Sequence, residues 1–423
     1  MTGSRRSIVA VLACSLSVFW PGAMIFGFPG VMGPYWQEMF GVGEGATGNI
    51  LFFILVATGI FMFFAGRWQE KYGIRFMINS GTLLCSLSVF LVAYARNIYF
   101  IYLWAFLVGA SSGFIYIPAL TTVQLWYEER RGLVSGIVSL IFGISAAIMS
   151  PFFSSMLHSM GYIKMSLLIA AISLVVGLAA ARYMEMPERI EAAVSAEPQS
   201  QSPVAGEGSS IWGRSMTVQE SIRTRSFWFL WLIWALQGAA GIAMVNLSVS
   251  FGLARGFALG SAVAILTTFN LMNGFSRILT GYLSDLIGRN LTMSLTFFAA
   301  GGAYLILPYL HNLTALAILA GVIGLSFGTL FSVSAPLVSD CFGLKHFGAI
   351  LGLTFTAYGF VAGILGPSLS GYILDVTKGN YFIVFIYLGI FCLLSAVLIW
   401  GVVVPYRMGP ASRAKEGSSP SQA

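Results

Sequence analysis

Two short polar segments decide how this chain is organised: GRWQEKYGIR at residues 66–75 and GYLSDLIGR at residues 281–289. Each contains the pattern Gly-x3-acid-x2-Gly, and each separates two long apolar stretches. The segments lie 215 positions apart, and the same offset places Arg130 on Lys345, between later apolar stretches. Ordinary polar turns would explain the residue types but not the shared offset. The pattern therefore predicts an internal duplication.

The composition around these segments is that of a membrane protein. The 423 residues are 57% hydrophobic and only 9% charged, whereas about a quarter of the residues of a soluble protein are charged. Apolar runs long enough to cross about 30 Å of hydrocarbon as helices recur along the whole chain. Because these runs are continuously apolar and not alternating, they favour helices over a barrel. Soluble enzymes, secreted scaffolds and nucleic-acid-binding proteins are therefore excluded.

Twelve apolar segments can be delimited, six on each side of a polar stretch. The first six are 7–31, 47–65, 76–94, 98–125, 132–156 and 164–183. The second six are 226–252, 261–283, 291–309, 313–338, 347–373 and 380–403. We therefore predict an all-α membrane protein of twelve transmembrane helices, with six-helix bundles at residues 1–183 and 226–405.

The distribution of Lys and Arg predicts the orientation of the chain. With the N-terminus in the cytoplasm, 17 of the 22 basic residues lie on the cytoplasmic side, four lie outside, and Arg277 lies within a span. This bias predicts a multi-pass protein of the plasma (inner) membrane with both termini cytoplasmic. Residues 184–225 are rich in Glu, Pro, Ser, Gln and Ala and are predicted to be a flexible cytoplasmic linker. Residues 406–423 are predicted to be a disordered cytoplasmic tail.

The two polar segments resemble the paired loop signature of the major facilitator superfamily, with its glycine, its acid four residues on, and its second glycine with basic residues. The resemblance also covers the number of spans and the position of the linker. It implies two bundles, related by a pseudo-twofold axis, that rock around a central site. The residues of this signature are expected to form a conformational latch on the cytoplasmic face, where the glycines turn the loop and the acid pairs with basic groups. The latch residues are Gly66, Glu70, Gly73, Arg75, Asp285, Gly288 and Arg289, with Arg130 and Arg131 between spans four and five.

A second motif, YEERRGLVSG at residues 127–136, resembles the signature between spans four and five of the monocarboxylate transporters. The bacterial oxalate/formate exchangers are similar here. The other monocarboxylate transporter signature, an acidic Gly/aromatic stretch that opens span one, is absent, because this chain reads RSIVA at residues 6–10. The resemblance, which extends to bacterial lactate/proton symporters, implies a short-chain monocarboxylate such as lactate or pyruvate as substrate.

Arg277 is the one charge that lies well inside a span, about six residues from the cytoplasmic end of the eighth. Burying a cation there costs ~3–10 kcal/mol, and a guanidinium cannot lose its proton. The 15 acids lie in loops, the linker, the tail or at span ends, so none is placed to neutralise it. We therefore expect Arg277 to face a wet central cavity and to bind an external carboxylate, which its planar fork of donors matches.

Other candidates for substrate binding are placed by their relation to Arg277. Asn270 and Asn273 lie on the same helix face, at i and i+3 to the arginine at i+7, where each can contact the ligand or bond to a neighbouring helix. Tyr116 in span four lies at a similar depth, and the 215 offset maps it onto Phe331 in span ten. This pair predicts a phenol donor that faces an apolar wall.

Two further features of the spans bear on transport. Tyr358 in span eleven is a third candidate donor at mid-membrane depth. In span one, FGFPG at residues 26–30 predicts a broken helix near the outer end, either a hinge or gate or a simple kink. An apolar wall with few donors suits a small, partly apolar acid better than a sugar.

The coupling mechanism departs from the family pattern. In mammalian monocarboxylate transporters an acid lies one turn before the span-eight arginine and a lysine lies in span one; here these positions are Asn273 and Gly30. Neither titrates, so we expect the substrate carboxyl to carry the proton, since protonation weakens its pair with Arg277. A carboxylate exchanger (antiporter) of the oxalate/formate type is the main alternative. A dicarboxylate would need two cations in its binding site, and only one is visible. A drug/proton exporter is disfavoured by the lack of an intramembrane acid.

Nothing in the sequence indicates enzymatic chemistry. The three histidines lie far apart at span ends, the four cysteines have no metal-ligand spacing, and no glycine-rich phosphate loop with a lysine is present. We expect no cofactor and no metal. The expected partners are a small carboxylate, a proton and the lipid bilayer, and not nucleic acid. One chain carries every candidate residue, so a monomer is sufficient for transport.

Overall fold

The structure is a computed structural model that describes residues 3–127, 131–184, 216–343 and 347–403. Every regular element in these ranges is a helix. In chain order the helices are α1 Gly3–Phe26, α2 Phe28–Phe40, α3 Glu44–Tyr72, α4 Ile74–Val92, α5 Ile98–Trp126, α6 Arg131–Met160, α7 Tyr162–Arg182, α8 Val218–Ser221, α9 Arg225–Ala254, α10 Leu259–Ile287, α11 Arg289–Ile306, α12 Leu313–Phe342, α13 Phe347–Thr356, α14 Leu369–Val376 and α15 Tyr381–Leu398. Two π-helical segments, Ala357–Ala362 and Ile364–Ser368, connect α13 to α14.

Twelve spans in the described residues are long and apolar enough to cross a membrane, which confirms the predicted fold class. From span three onward, the predicted ends lie within four residues of the helix ends. Span one was predicted too short, because α2 carries it on to Phe40. Its break at Gly27 therefore lies in mid-span and not near the outer end.

Span one is kinked at Gly27 but not unwound there. The Gly27 N–H still donates to the Ala23 carbonyl at 3.0 Å, and the Val31 N–H donates to the Gly27 carbonyl at 3.2 Å. The kink has a local cause, because Pro29 has no N–H to continue the helical ladder. Of the two predicted alternatives, the backbone at this point matches the simple kink.

The two polar segments that mark the duplication are mostly helical, which corrects their assignment as loops. Both α3 and α10 continue through Gly66 and Gly281 and end only before Gly73 and Gly288. Those last two glycines make the turns, with φ of +82° and +96°, in a region that side chains other than glycine rarely adopt. Before the first turn, Arg67, Gln69 and Lys71 are good helix formers, so the helix does not stop where the apolar run stops.

The C-terminal part of the predicted linker is described and is ordered by local contacts. Residues 185–215 lie outside the described ranges, as do the predicted tail residues 406–423. From Met216 onward the chain is ordered by a capping box, in which Thr217 and Glu220 each bond to the backbone of the other. The Met216 N–H donates to the Phe342 carbonyl at 2.9 Å, which fixes this segment to α12.

The six spans on each side of the linker pack as two bundles, here called the N-half (α1–α7) and the C-half (α9–α15). Equivalent pairs are in contact in both halves: α3 with α5 and α10 with α12, then α4 with α7 and α11 with α15. The halves meet where α6 packs on α10, α2 on α9, and α3 on residues 357–376. We call the end where α3, α7 and α10 terminate the linker end, and the opposite end the distal end.

Candidate functional site

Arg277 lies at the interface between the halves and not against lipid. Its side chain is 6% exposed, and α10 runs ten residues beyond it to Ile287, which places it about 15 Å from the helix end. The Nη1 donates to the Ser139 carbonyl on α6 at 3.2 Å. The Cζ lies 4.7 Å from the ring centroid of Phe331, within range of a cation–π interaction. The guanidinium thus reaches from the C-half to the N-half.

Part of this guanidinium is left without a partner. Among the described residues, the Nε and Nη2 of Arg277 have no hydrogen-bond partner, and no carboxylate pairs with it. Buried polar groups in proteins are nearly always hydrogen-bonded, and an unpaired buried charge is costlier still. The described protein therefore leaves two donors of a permanent cation unpaired.

The two asparagines on the same face of α10 differ in their surroundings. Asn273 is fully buried, and neither its Nδ2 nor its Oδ1 has a partner among the described residues. Asn270 instead donates from Nδ2 to the Phe26 carbonyl of the N-half at 3.0 Å, and only its Oδ1 is unpaired. Asn273 is therefore free to meet a ligand beside Arg277, whereas the donor of Asn270 already makes the interhelical bond weighed in the sequence analysis.

Tyr116 reaches the same point from α5. Its hydroxyl shares a 2.8 Å hydrogen bond with the Ser139 hydroxyl, and its ring packs on Phe142 at 4.8 Å between centroids. Ser139 therefore contacts Tyr116 through its side chain and Arg277 through its carbonyl. The Tyr116 hydroxyl is near the Arg277 guanidinium, but it already has a hydrogen-bond partner within the protein, Ser139.

Tyr358 approaches from span eleven, within the π-helical segment Ala357–Ala362. It is 6% exposed, and its hydroxyl has no partner among the described residues. Its ring lies 5.6 Å from that of Phe331 and 5.7 Å from that of Trp234. A π-helical turn is often found at functional sites, and here it places an unpaired phenol in the cluster that contains Arg277.

Aromatic rings pack around these polar groups, and Phe331 is one of them. Phe331 packs edge-on against Trp234 at 5.0 Å and Phe327 at 5.3 Å, and Phe327 reaches across to Phe26 of the N-half at 6.2 Å. Trp234 was not predicted from the sequence, and its Nε1 is buried without a partner in the described part of the chain.

The contribution of α6 to this cluster was not predicted from the sequence either. Ser139 provides the carbonyl for Arg277, and a Cβ added at Gly143, one turn away, would lie 3.1 Å from the arginine Nε. On the facing helix, a Cβ at Gly274 would lie 3.0 Å from the Ile144 backbone nitrogen. Small residues four positions apart are typical of close helix packing in membranes, and this spacing was the available signal. Because α6 and α10 touch here, a ligand at Arg277 needs the halves to separate.

The two halves are closed against each other at the distal end. Along α3, close approaches to residues 357–376 run from Gly45 to Gly59, where an added Cβ would lie 3.6 Å from the Gly359 Cα. A cavity of about 540 Å³ lies at this end, lined by residues such as Gln37 and Glu44, and it does not include Arg277. Close backbone contacts between α3 and residues 357–376 therefore join the halves at the distal end.

The predicted latch residues are only partly described. Arg130 lies outside the described residues, and so do the side chains of Glu70 and Arg131. Arg75 donates from Nε to the Met184 carbonyl at 2.9 Å, within the N-half. A latch between the halves therefore stays a prediction.

The second copy of the latch is complete and lies within the C-half. Arg289 bonds to Asp285, to the Ser284 hydroxyl at 2.6 Å, and to the Asp340 carboxylate at 3.4 Å. These bonds join α10, α11 and α12 at the linker end. Both carboxylates are more than half exposed, so each pair contributes at most about 1 kcal/mol.

Comparison with known proteins agrees with this architecture. The "Oxalate:formate antiporter" of Oxalobacter formigenes is 26% identical over 306 residues, covering 72% of this chain and 70% of that protein. "Monocarboxylate transporter 13" of Rattus norvegicus is 24% identical over 392 residues, covering 91% and 87%. The crystal structure of a bacterial homologue of the human lysosomal transporter Spinster, inward-facing and unoccupied, has the same fold, with a TM-score of 0.68, 14% identity and 95% of each chain covered.

The family follows from a match that spans nearly the whole chain. The profile of the Major Facilitator Superfamily matches residues 14–310 and, in a second match, residues 241–422. These matches run through both halves and both copies of the duplicated segment. The chain is therefore a multi-pass membrane protein that belongs to the major facilitator superfamily, a family of transporters and not of enzymes.

Proposed function

We propose that this protein is a secondary active transporter of short-chain monocarboxylates such as lactate or pyruvate. Transport proceeds by alternating access, and the substrate carboxylate binds Arg277. The single observation that carries the proposal is the buried guanidinium whose Nε and Nη2 have no partner among the described residues. A carboxylate can accept from two such donors at once, which restores the hydrogen bonds that the fold leaves unmade.

The surroundings of Arg277 support a small acid with an apolar part. Phe331, Phe327 and Trp234 contribute apolar ring faces, while Asn273 and Tyr358 contribute the unpaired polar atoms. A sugar would need many more donors and acceptors than this. The names of the relatives point to the same substrate class, since they include monocarboxylate transporters and an oxalate:formate antiporter.

The orientation belongs to the same proposal. The excess of Lys and Arg at the linker end makes that end cytoplasmic, so both termini are inside and the distal end faces outward. The functional units are the bundles 1–183 and 226–405, joined by the linker 184–225 and followed by the tail 406–423. The conformation with the distal end closed is then closed to the outside. The substrate reaches Arg277 from the cytoplasmic side when α6 separates from α10.

Proton coupling uses the substrate as the carrier. Asn273 and Gly30 occupy the positions where mammalian relatives have titrating residues, and no carboxylate in the described residues pairs with Arg277. An ionised substrate pairs strongly with the guanidinium, so the halves can close around a neutralised pair. Protonation of the substrate removes its charge and weakens the pair, which favours release.

Uptake into proteoliposomes tests both the substrate and the coupling. We expect labelled lactate or pyruvate to accumulate when the outside is made acidic, and accumulation to collapse when an ionophore dissipates the pH gradient. A panel of C1–C4 acids should show transport of monocarboxylates and little transport of neutral analogues such as glycerol. Uptake that is indifferent to the pH gradient would contradict proton symport, and no uptake of any acid would contradict the substrate class.

Exchange of carboxylates is the second candidate function, favoured by the relative named as an oxalate:formate antiporter. Counterflow separates the two functions: vesicles preloaded with unlabelled oxalate should accelerate labelled formate or oxalate uptake without any pH gradient if the protein is an exchanger. With proton symport of monocarboxylates we expect no such acceleration by oxalate, because only one buried cation faces the site.

The two tyrosines near Arg277 provide a matched pair of variants. Tyr358→Phe removes a hydroxyl that has no partner in the described protein, whereas Tyr116→Phe removes one that bonds to Ser139. If the free phenol binds substrate, Tyr358→Phe should weaken lactate binding by about fivefold to tenfold, the value of one net hydrogen bond. Tyr116→Phe should weaken it less. Isothermal titration of the purified variants checks this, and the reverse order would contradict the assigned roles.

A further inference from the structure

The distal end is held closed by a carboxylate that one half presents to a helix of the other. Asp375, next to the last residue of α14 in the C-half, accepts the Glu44 N–H on Oδ1 at 2.7 Å and the Gly45 N–H on Oδ2 at 2.8 Å. These two N–H groups open α3, where a helix leaves its first amides without internal partners. The cap residue of α3 is Gly43, which has no side chain to bond them. Asp375 therefore supplies, from the opposite half, the cap that α3 itself lacks.

The first turn of α3 suits an oxygen acceptor such as the Asp375 carboxylate. The start of a helix carries a partial positive charge, so the anion is stabilised there in addition to its two hydrogen bonds. Hydrogen bonds to an ionised acceptor are also stronger than those between neutral groups. Asp375 thus makes two short hydrogen bonds from the C-half to the N-half at this end.

Glycines on both sides allow the backbones to come this close. A Cβ added at Gly43 would lie 2.3 Å from the Asp375 Oδ1, and one at Gly45 would lie 2.9 Å from Oδ2. A Cβ at Gly371, one turn before Asp375, would lie 2.2 Å from the Glu44 carbonyl oxygen. A larger residue at Gly43 would displace the Asp375 carboxylate, and one at Gly371 would push α3 and α14 apart.

Weaker bonds between the halves surround this contact. The Asn246 Nδ2 donates to the Thr47 carbonyl at 3.0 Å. The Glu44 carboxylate lies within 3.4 Å of the Ser250 hydroxyl and 3.5 Å of the Tyr381 hydroxyl. All of these join the N-half to the C-half, so all of them must break before the distal end can open.

We propose that Asp375 is the gating residue of the distal end. Its carboxylate holds the transporter in the state closed at that end, and opening requires the first turn of α3 to be released from it. The proposal rests on the alternating-access part of the proposed function and is independent of the substrate. Removing the carboxylate leaves the α3 amides to solvent and shifts the balance of states toward opening at the distal end.

Distances between spin labels test the gate without any substrate. Arg96 and Ala258 are exposed at the distal ends of the N-half and C-half, and the four native cysteines are buried, so labels on Arg96→Cys and Ala258→Cys report the separation of the halves. We measure the label-to-label distances by double electron–electron resonance on the full-length protein. We expect Asp375→Ala to raise the ratio of the population at long distance to that at short distance at least about tenfold, since two charge-assisted bonds are lost. Asp375→Asn, which keeps one oxygen acceptor, should raise it less.

Two further variants complete the test. Asp340→Asn, which removes a carboxylate at the linker end, should leave the distal distances unchanged. Gly371→Ala forces the same helices apart without changing the carboxylate, so it should also favour long distances. It is the substitute variant if Asp375→Ala does not fold. Unchanged distances in both Asp375→Ala and Gly371→Ala would overturn the proposal. The distances are measured without any transport assay. If Asp375→Ala opens the distal end but the protein transports no carboxylate, the proposed substrate is refuted and the proposed role of Asp375 still holds.

Discussion

Replacing Arg277 with glutamine is expected to abolish carboxylate binding while the protein still folds. The variant loses the two donors, Nε and Nη2, that have no partner in the described protein. Each charge-assisted hydrogen bond is worth about 1.5–3 kcal/mol, so loss of both should weaken lactate binding at least about a hundredfold. The shorter glutamine side chain gives up the bond to the Ser139 carbonyl, but removing a buried unpaired charge relieves a larger desolvation cost. The folded state should therefore keep or gain thermal stability.

Thermal-shift titration with lactate, in detergent, measures both effects in one experiment. Arg289→Gln is the matched control, because it removes a guanidinium of the same chemistry from the ion pairs at the linker end. We expect Arg289→Gln to retain the ligand-induced rise in Tm and Arg277→Gln to show none. A ligand-induced rise that survives Arg277→Gln would show that the anion binds elsewhere and would remove the basis of the proposed function.

Arg277→Lys tests whether a positive charge at this position is sufficient for lactate binding. Lysine keeps the positive charge but presents a point charge on a flexible stem and not a planar fork. We expect lactate affinity between those of the wild type and Arg277→Gln. Wild-type affinity in Arg277→Lys would mean that the bidentate geometry does not matter.

The span pattern and the position of Arg277 could be predicted because each depends on local sequence. Continuous apolar runs determine the spans, and the face shared by Asn270, Asn273 and Arg277 follows from helical periodicity alone. The segment after span two was less predictable. Polar residues at a membrane boundary can continue a helix, so the end of the apolar run at Ala65 did not mark the end of α3 at Tyr72.

Contacts between the halves could not be read from the sequence. The cap of α3 by Asp375 joins residues more than 300 positions apart, and nothing around Asp375 in the sequence distinguishes it from any acid at a span end. The bond from Arg277 to Ser139 uses a backbone carbonyl, which every residue has. The π-helical segment that presents Tyr358 likewise depends on packing against α3 and α9 and not on local preference. Each of these features is set by how the two bundles meet.

The helix that carries Arg277 is itself positioned by glycines on α12. A Cβ added at Gly328 would lie 1.8 Å from the Ser276 hydroxyl oxygen and 2.3 Å from the Asn273 carbonyl oxygen. A Cβ at Gly324, one turn earlier, would lie 2.1 Å from the Phe269 carbonyl oxygen. Glycines spaced four apart let membrane helices approach closely. Here they bring α12 against the side of α10 that adjoins the proposed substrate site.

Gly328→Val is therefore expected to disrupt both stability and transport. Overpacking a tight helix contact costs about 1–3 kcal/mol or more. One of the two obstacles here, the Asn273 carbonyl oxygen, is backbone, which cannot rotate away as the Ser276 side chain can. The variant should unfold at a clearly lower Tm, and the molecules that remain folded should bind lactate weakly, because α10 carries Asn273 and Arg277 with it as it shifts. Gly302→Val on α11 is the control, since no atom lies within 4 Å of its added Cβ, and it should match the wild type in both measurements. Equal Tm values for the two variants would mean that α10 and α12 do not pack through Gly328, and the geometry assigned to the site would then have to be abandoned together with that contact.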